Sequence, residues 1–404
     1  MTGTPGPAWE PAEPFVVQVD QGTLDDLHER LARTRLAPDL DNEDWSYGVN
    51  GAYLAELVHS WRTEFDWRAQ ERRINELSHY RTVIDGIPIH FVHERGKGPD
   101  PTPIILTHGW PWTFWDFHDV IGPLTDPVAY GGSAEDSFDV IVPSLPGFGF
   151  STPLRRTGMT IWDVADVWKT LMVDVLGYPR FAAHGGDYGV MVTAQLGHKY
   201  PEHLLGLHFA PRPLPLHAFN TDRPWADLFA NAIPSGVGDR ATFVEYERRK
   251  VGHVVAHVLD PQTLAHALHD SPAGLAAWLL ERRRSWSDCG GDVESAFSRD
   301  DLLTSFTIYW ASDSFVSTAR LYHENAKIGW QPSHDRTPVV GVPTAVTVFE
   351  KDLPPGASMA WMEEYFDLRQ VTSSPTGGHF AAAEEPDVVV RDIRSFLGGA
   401  HRGS

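Results

Sequence analysis

The sequence predicts a doubly wound α/β fold, a mostly parallel sheet with helices on its faces and a helical lid inserted between core strands. Three observations carry the prediction. Short apolar runs bounded by turn residues recur between residues 103 and 208, as strands covered on both faces require. Segments with apolar residues at helical spacing lie between them, which gives the strand–helix alternation of such sheets. The alternation stops after Pro211, and a strand-like run returns at Pro343–Phe349. An insertion is the simplest account of that gap.

In chain order, residues 1–14 are rich in Pro, Gly and Thr and read as a disordered tail. Residues 15–79 form a helical appendage, with one helix marked by Leu24, Leu27 and Leu31 and a second by Tyr53, Leu54, Leu57, Val58 and Trp61. Its aromatic residues Trp45, Tyr47, Phe65 and Trp67 need a surface to pack against. The first part of the core, 80–211, opens with a hairpin, because Asp85-Gly86 separates two apolar alternations. Strands follow at Pro103–Thr107, Phe138–Val142, Phe181–His184 and Leu204–His208, with helices at Ile161–Leu176 and Tyr188–Tyr200. Residues 212–335 read as the helical lid, 336–398 as the second part of the core, and 399–404 as a tail.

Composition narrows the function. Hydrophobic residues at 42% and charged residues at 22% suit an ordinary globular enzyme. A net charge of −21, from 54 acidic and 33 basic residues, repels a nucleic-acid backbone and anionic membranes. Residues 1–15 have neither the basic nor the apolar region of a secretory leader, and no apolar run of about 18 residues spans a bilayer. A soluble, cytoplasmic protein with no nucleic-acid or membrane partner is expected. Fifteen Trp, twenty Phe and eleven Tyr allow an apolar pocket or extra core packing. The single Cys289 has no partner for a disulfide or cysteine metal site, and neither a metal nor a cofactor is expected.

The chemistry concentrates at His184-Gly185-Gly186-Asp187-Tyr188-Gly189, which follows an apolar strand and opens a helix. This is the setting of a nucleophile elbow, where small residues flank the nucleophile because the chain turns tightly from strand to helix. Asp187 stands in the nucleophile's place, and no serine elbow occurs elsewhere. The bland alternative is a Gly-rich turn with Asp as a helix N-cap. A carboxylate with an ordinary pKa of about 3.9 is ionised at neutral pH and needs no base to activate it. A histidine is therefore free to bring water onto the resulting ester. Of the twenty histidines, His379 in Gly377-Gly378-His379-Phe380 has the right chain position, following nucleophile and acid in that order. The acid that orients it is Asp352 or Glu350, with Asp352 preferred. The oxyanion hole needs two backbone N–H groups. Tyr188 supplies one and Trp110, in His108-Gly109-Trp110-Pro111, the other, while His108 reads as structural.

Together His108-Gly109-Trp110-Pro111, Gly186-Asp187-Tyr188-Gly189 and Gly378-His379-Phe380-Ala381-Ala382 resemble the microsomal-type epoxide hydrolases of the α/β-hydrolase fold. The runs Tyr47–Asn50 and Trp61–Trp67 look like that family's N-terminal wrapping segment, and Asp270–Trp278 looks like its lid. The resemblance covers nearly all of residues 15–398, and unlike the membrane-bound animal members this protein is expected to lack an N-terminal anchor helix. It implies conversion of a small-molecule epoxide and water to a vicinal diol through an ester on Asp187, and it leaves room for a homodimer. It also implies two lid hydroxyls that hold the epoxide oxygen. Tyr322 matches one, but His253 stands near the place of the other, so His253, Tyr246 or a single donor is open there. Trp110, Pro111, Tyr188 and Phe380 are expected to touch substrate. A haloalkane dehalogenase, which holds a halide and needs no lid Tyr, is the rival enzyme. A catalytically silent binding protein is the rival outside enzymes. Detoxification and secondary-metabolite biosynthesis, such as that of an enediyne antibiotic, are both open as roles.

Overall fold

The computed structural model describes residues 8–227, 240–354 and 356–398. Nine strands form one sheet: β1 (Glu13–Phe15), β2 (His79–Ile84), β3 (Ile87–Glu94), β4 (Thr102–Thr107), β5 (Phe138–Pro143), β6 (Phe181–Gly185), β7 (Leu204–Phe209), β8 (Val340–Phe349) and β9 (Phe366–Ser374). Their spatial order is β1-β2-β3-β5-β4-β6-β7-β8-β9. The first three pairings are antiparallel and the remaining five parallel. Every residue of β5 and β6 is buried, which is why their sequences are mostly apolar, Asp139 and His184 apart, and do not alternate. In the β2–β3 hairpin Asp85 and Gly86 both take positive φ, as a two-residue turn that follows the sheet's twist requires.

Residues 8–14, expected to belong to a loose tail, are instead paired to the sheet. Trp9 bridges to Ile84, the Glu10 N–H donates to the Val83 carbonyl at 2.9 Å, and β1 begins at Glu13. The unpaired edge of β2 supplies the hydrogen bonds that composition cannot reveal. Residues 1–7 and 399–404, the rest of the expected tails, lie outside the described residues.

Three helices precede the core: α1 (Gln21–Ala32), α2 (Gly51–Thr63) and α3 (Trp67–Ile74). Each is capped by a side chain, from Asp20, Asn50 and Asp66 respectively, which satisfies N–H groups that the first turn leaves free. Within the core come α4 (His118–Thr125), α5 (Val164–Lys169), which widens into a π turn at Thr170–Val175, and α6 (Tyr188–Lys199). Between β7 and β8 the described residues hold α7 (Pro224–Asp227), α8 (Arg240–Leu259), α9 (Pro261–Asp270), α10 (Pro272–Trp286), α11 (Arg299–Ala311) and α12 (Phe315–Ile328). The chain closes with α13 (Met362–Tyr365), α14 (Ala381–Glu384) and α15 (Pro386–Leu397). The N-terminal helices lean on the inserted ones: Trp61 is fully buried and its indole N–H donates to Thr307 Oγ1 at 3.0 Å. Among the described residues no helix is long and apolar enough to cross a membrane.

Candidate active site

In a parallel sheet the carboxyl ends of the strands collect functional groups in one crevice. The chain brings Trp110 there after β4, Asp187 after β6, Arg212 after β7, Asp352 after β8 and His379 after β9. Asp187 occupies the turn itself with φ of 53°, a conformation that a non-glycine residue adopts only under constraint. The constraint is visible in its neighbours. A Cβ on Gly185 would lie 2.0 Å from the Gly189 carbonyl oxygen, and one on Gly189 would lie 1.9 Å from that of Thr107. Only glycine at both places lets the turn close against β4.

The turn aims the Asp187 carboxylate between two donors. Its Oδ1 accepts the Trp110 N–H at 2.8 Å, and its Oδ2 lies 3.1 Å from His379 Nε2. The other ring nitrogen, Nδ1, is 3.2 Å from Asp352 Oδ1. The Asp352 carboxylate, 1% exposed, also accepts from Arg212 Nε at 3.0 Å and from Lys250 Nζ at 3.3 Å. Burial favours the neutral acid there, but the charges of His379, Lys250 and Arg212 outweigh it and hold Asp352 far below the usual carboxylate range. Burial likewise opposes charge on His379. The charge of Asp352 and the bonds to both carboxylates outweigh that burial and raise its imidazole above the ordinary value. Glu350, the alternative acid, is exposed and accepts from Ser373 Oγ at 2.7 Å, away from His379.

Asp187, Tyr188, His379, Asp352, Tyr322, His253 and Tyr246 share the wall of a cavity of about 60 Å³. Its apolar wall includes Met191, Leu214, Phe219, Val254 and Trp286. Tyr322 O–H and His253 Nε2 lie 3.1 Å apart. Burial, with the charges of His257 and Arg282, pushes His253 well below the ordinary histidine value, so its ring is neutral. Burial pushes the Tyr322 phenol well above its own, so its proton stays in place. Tyr246 instead donates to the Asp352 backbone carbonyl at 3.1 Å. Tyr188 opens α6, and a first-turn N–H has no acceptor within its helix. His108 links loops: its Nε2 accepts the Leu145 N–H at 3.1 Å, leaving Nδ1–H for the Gly109 carbonyl at 2.9 Å.

Three expected substrate contacts, Trp110, Pro111 and Phe380, are not in this wall. Phe380 is fully buried against Trp112, with the Arg283 guanidinium over its ring, and the Pro111 carbonyl accepts from Arg283. Trp110 reaches the site through its backbone, while its indole stacks on His253 with ring centroids 4.9 Å apart. Neighbours in a motif share the chain, not the face that meets the cavity. Sequence reasoning missed Arg212, Lys250 and Trp286. Lys250 alone left a signal, since Tyr246, Lys250, His253 and His257 recur at helical spacing along α8.

Comparison with known proteins agrees with the geometry. A family model described as epoxide hydrolase N terminus matches residues 12–117, and one described as the alpha/beta hydrolase fold matches residues 102–386. The chain is 40% identical to a Stigmatella aurantiaca protein provisionally named an epoxide hydrolase, over 94% of this chain and 83% of that one. It is 34% identical to epoxide hydrolase 1 of Oryctolagus cuniculus, over 97% and 90%. The crystal structure of juvenile hormone epoxide hydrolase from the silkworm Bombyx mori superposes with a TM-score of 0.79 at 26% identity, covering 97% of this chain and 94% of the other.

Proposed function

We propose, from the premise that this chain belongs to the epoxide hydrolase family of the α/β-hydrolase fold and is an epoxide hydrolase, that it converts a small-molecule epoxide to a vicinal diol through an ester on Asp187. The observation that carries the mechanism is the division of labour between the two oxygens of Asp187. Oδ1 is held by the Trp110 N–H, so Oδ2 is the oxygen left to attack a ring carbon. As the new C–O bond forms, the ring C–O bond breaks, and the ring oxygen takes the proton of Tyr322. His253 supports this donor: with its proton on Nε2 it donates to the Tyr322 oxygen, which frees the phenol O–H for the epoxide and stabilises the phenolate.

In the second half, His379 takes a proton from water as the water oxygen bonds to Asp187 Cγ. Charge builds on Oδ1, where the Trp110 and Tyr188 N–H groups receive it. The intermediate collapses by breaking the bond to Oδ2, and the departing diol oxygen takes the proton from His379. The water's second proton, left on the regenerated carboxyl group, returns to Tyr322. Asp352 orients His379 and stabilises its charged form during this step.

The apolar wall suits an apolar epoxide. The helices between β7 and β8, within 212–335, serve as the lid, and residues 15–79 brace them. The acidic surface supports a cytoplasmic setting, and a homodimer is compatible with it. His379→Gln with racemic styrene oxide as the probe tests the mechanism: the intact protein should gain the mass of one styrene oxide, on Asp187. Wild-type enzyme turning over in ¹⁸O-labelled water should acquire label in that carboxylate. No adduct and no label would refute the ester.

A further inference from the structure

We propose that Lys250 is a positioning residue for the hydrolytic half of the reaction, competing with His379 for one oxygen of Asp352 and so keeping His379 neutral once Asp187 is esterified. The inference rests on the roles given above to Asp187 and His379. Asp352 meets three nitrogen groups with two oxygens. Oδ2 is taken by Arg212 Nε at 3.0 Å, but Oδ1 is shared by His379 Nδ1 at 3.2 Å and Lys250 Nζ at 3.3 Å. The Lys250 side chain is 11% exposed, and its Nζ also lies 3.5 Å from the Trp286 carbonyl. A buried ammonium held beside a carboxylate acts on the local field far more than a solvated one.

Besides His379 itself, the charged and titratable groups around this oxygen come from six places in the fold. The nucleophile turn brings Asp187, the segment after β7 brings Arg212, and the turn after β8 brings Asp352 itself. Helix α8 brings Tyr246 and the neutral His253 beside Lys250, and α12 brings Tyr322. Helix α14 brings Glu384, whose carboxylate is taken up by the backbone N–H groups of Asp288, Gly378 and Phe380. Burial lowers the Lys250 amine below its ordinary value, and the Asp352 charge opposes that shift.

In the free enzyme the Asp187 and Asp352 carboxylates balance Arg212 and Lys250, and His379 is bonded to both carboxylates. Esterification removes the charge of Asp187. One carboxylate then faces two cations, and protonation of His379 is disfavoured at the step where a neutral base is needed. Without the Lys250 charge, Asp352 would bind an imidazolium in the ester as firmly as Arg212 allows, and the base would be blocked.

The test follows decay of the styrene oxide ester by intact-protein mass after rapid quench, across pH, in wild type, Lys250→Met, Lys250→Gln and Lys250→Arg. Lys250→Met should slow ester decay about tenfold near pH 6 and by less than about twofold near pH 9, because the missing charge moves the acid limb upward. Lys250→Gln should do the same and replaces the methionine variant if that one does not fold, while Lys250→Arg should restore the wild-type limb. A loss uniform across pH, or an unmoved limb in the neutral variants, overturns the inference. Absence of any ester in wild type would instead overturn the role of Asp187.

Discussion

Replacing Gly109 with alanine tests whether Asp187 is held where the reaction needs it. A Cβ at Gly109 would lie 2.3 Å from both Cβ and Oδ1 of Asp187 and 2.7 Å from its Cγ. Carbon atoms in favourable contact sit at about 3.5 Å, so one side must yield by about 1 Å. Rotation of the Asp187 side chain relieves the contact with Oδ1 but not the one with Cβ, which is fixed by the elbow at φ of 53°. A shift of that size disrupts the 2.8 Å bond from Trp110 and the 3.1 Å approach of His379 together. Misplacement of a reacting group by about 1 Å costs about 100-fold, or about 2.7 kcal/mol of transition-state stabilisation. Gly109 does not have positive φ, so alanine adds no backbone strain, and overpacking alone should lower Tm by about 5 °C or less. The assay pairs kcat for styrene oxide with thermal unfolding of the same preparation. A folded variant with kcat within about threefold of wild type would refute the assignment of the nucleophile.

Three further outcomes are expected. Asp352→Asn should slow ester hydrolysis by at least about 100-fold, whereas Glu350→Gln should stay within about twofold, because Glu350 is exposed and bonded to Ser373; single-turnover kinetics separate the two. Arg283→Met should destabilise the fold by about 3 kcal/mol, read in urea unfolding, because it strands the Asp116 carboxylate, 4% exposed, without its cation. The third concerns pH: the folded-state pKa of His379 is raised, so the stability its charged form contributes is complete below the ordinary histidine value and is lost as pH rises through the raised one. The Tm difference between wild type and His379→Gln should therefore be largest near about pH 6 and shrink toward about pH 9, and a difference that grows with pH would contradict the ion pairs.

How much was legible in the sequence follows from how local each constraint is. The elbow at Asp187 is legible because tight turning demands Gly185 and Gly189 within five consecutive residues, and His379 is legible because chain order restricts it. Arg212 was invisible and Lys250 left only an ambiguous signal, because their role depends on which faces meet after folding. A polar stripe of Tyr246, Lys250, His253 and His257 on a helix reads equally well as a solvated face, and only the contacts of Tyr246 and Lys250 with Asp352, of His253 with Tyr322 and of His257 with Trp278 separate the two. Strand β9 was passed over because Phe366–Ser374 buries only its two end residues, as an edge strand does. Residues 8–14 were misjudged for the converse reason, since their order comes from the edge of β2 and not from their own composition.

The two halves of the reaction place the same demand on His379, and this explains why the acid that orients it carries two cations. In the first half, a charged His379 bound at Oδ2 would draw electron density from the oxygen that must attack carbon, and in the second it would have no capacity to accept a proton from water. An Asp352 paired with His379 alone would favour the charged ring in both. Arg212 on one oxygen and Lys250 on the other reduce that pull, so the acid still fixes the ring's orientation through Nδ1 while holding its proton less tightly. Orientation depends on geometry and basicity on net charge, and a carboxylate with spare acceptor sites allows the two to be set by different neighbours.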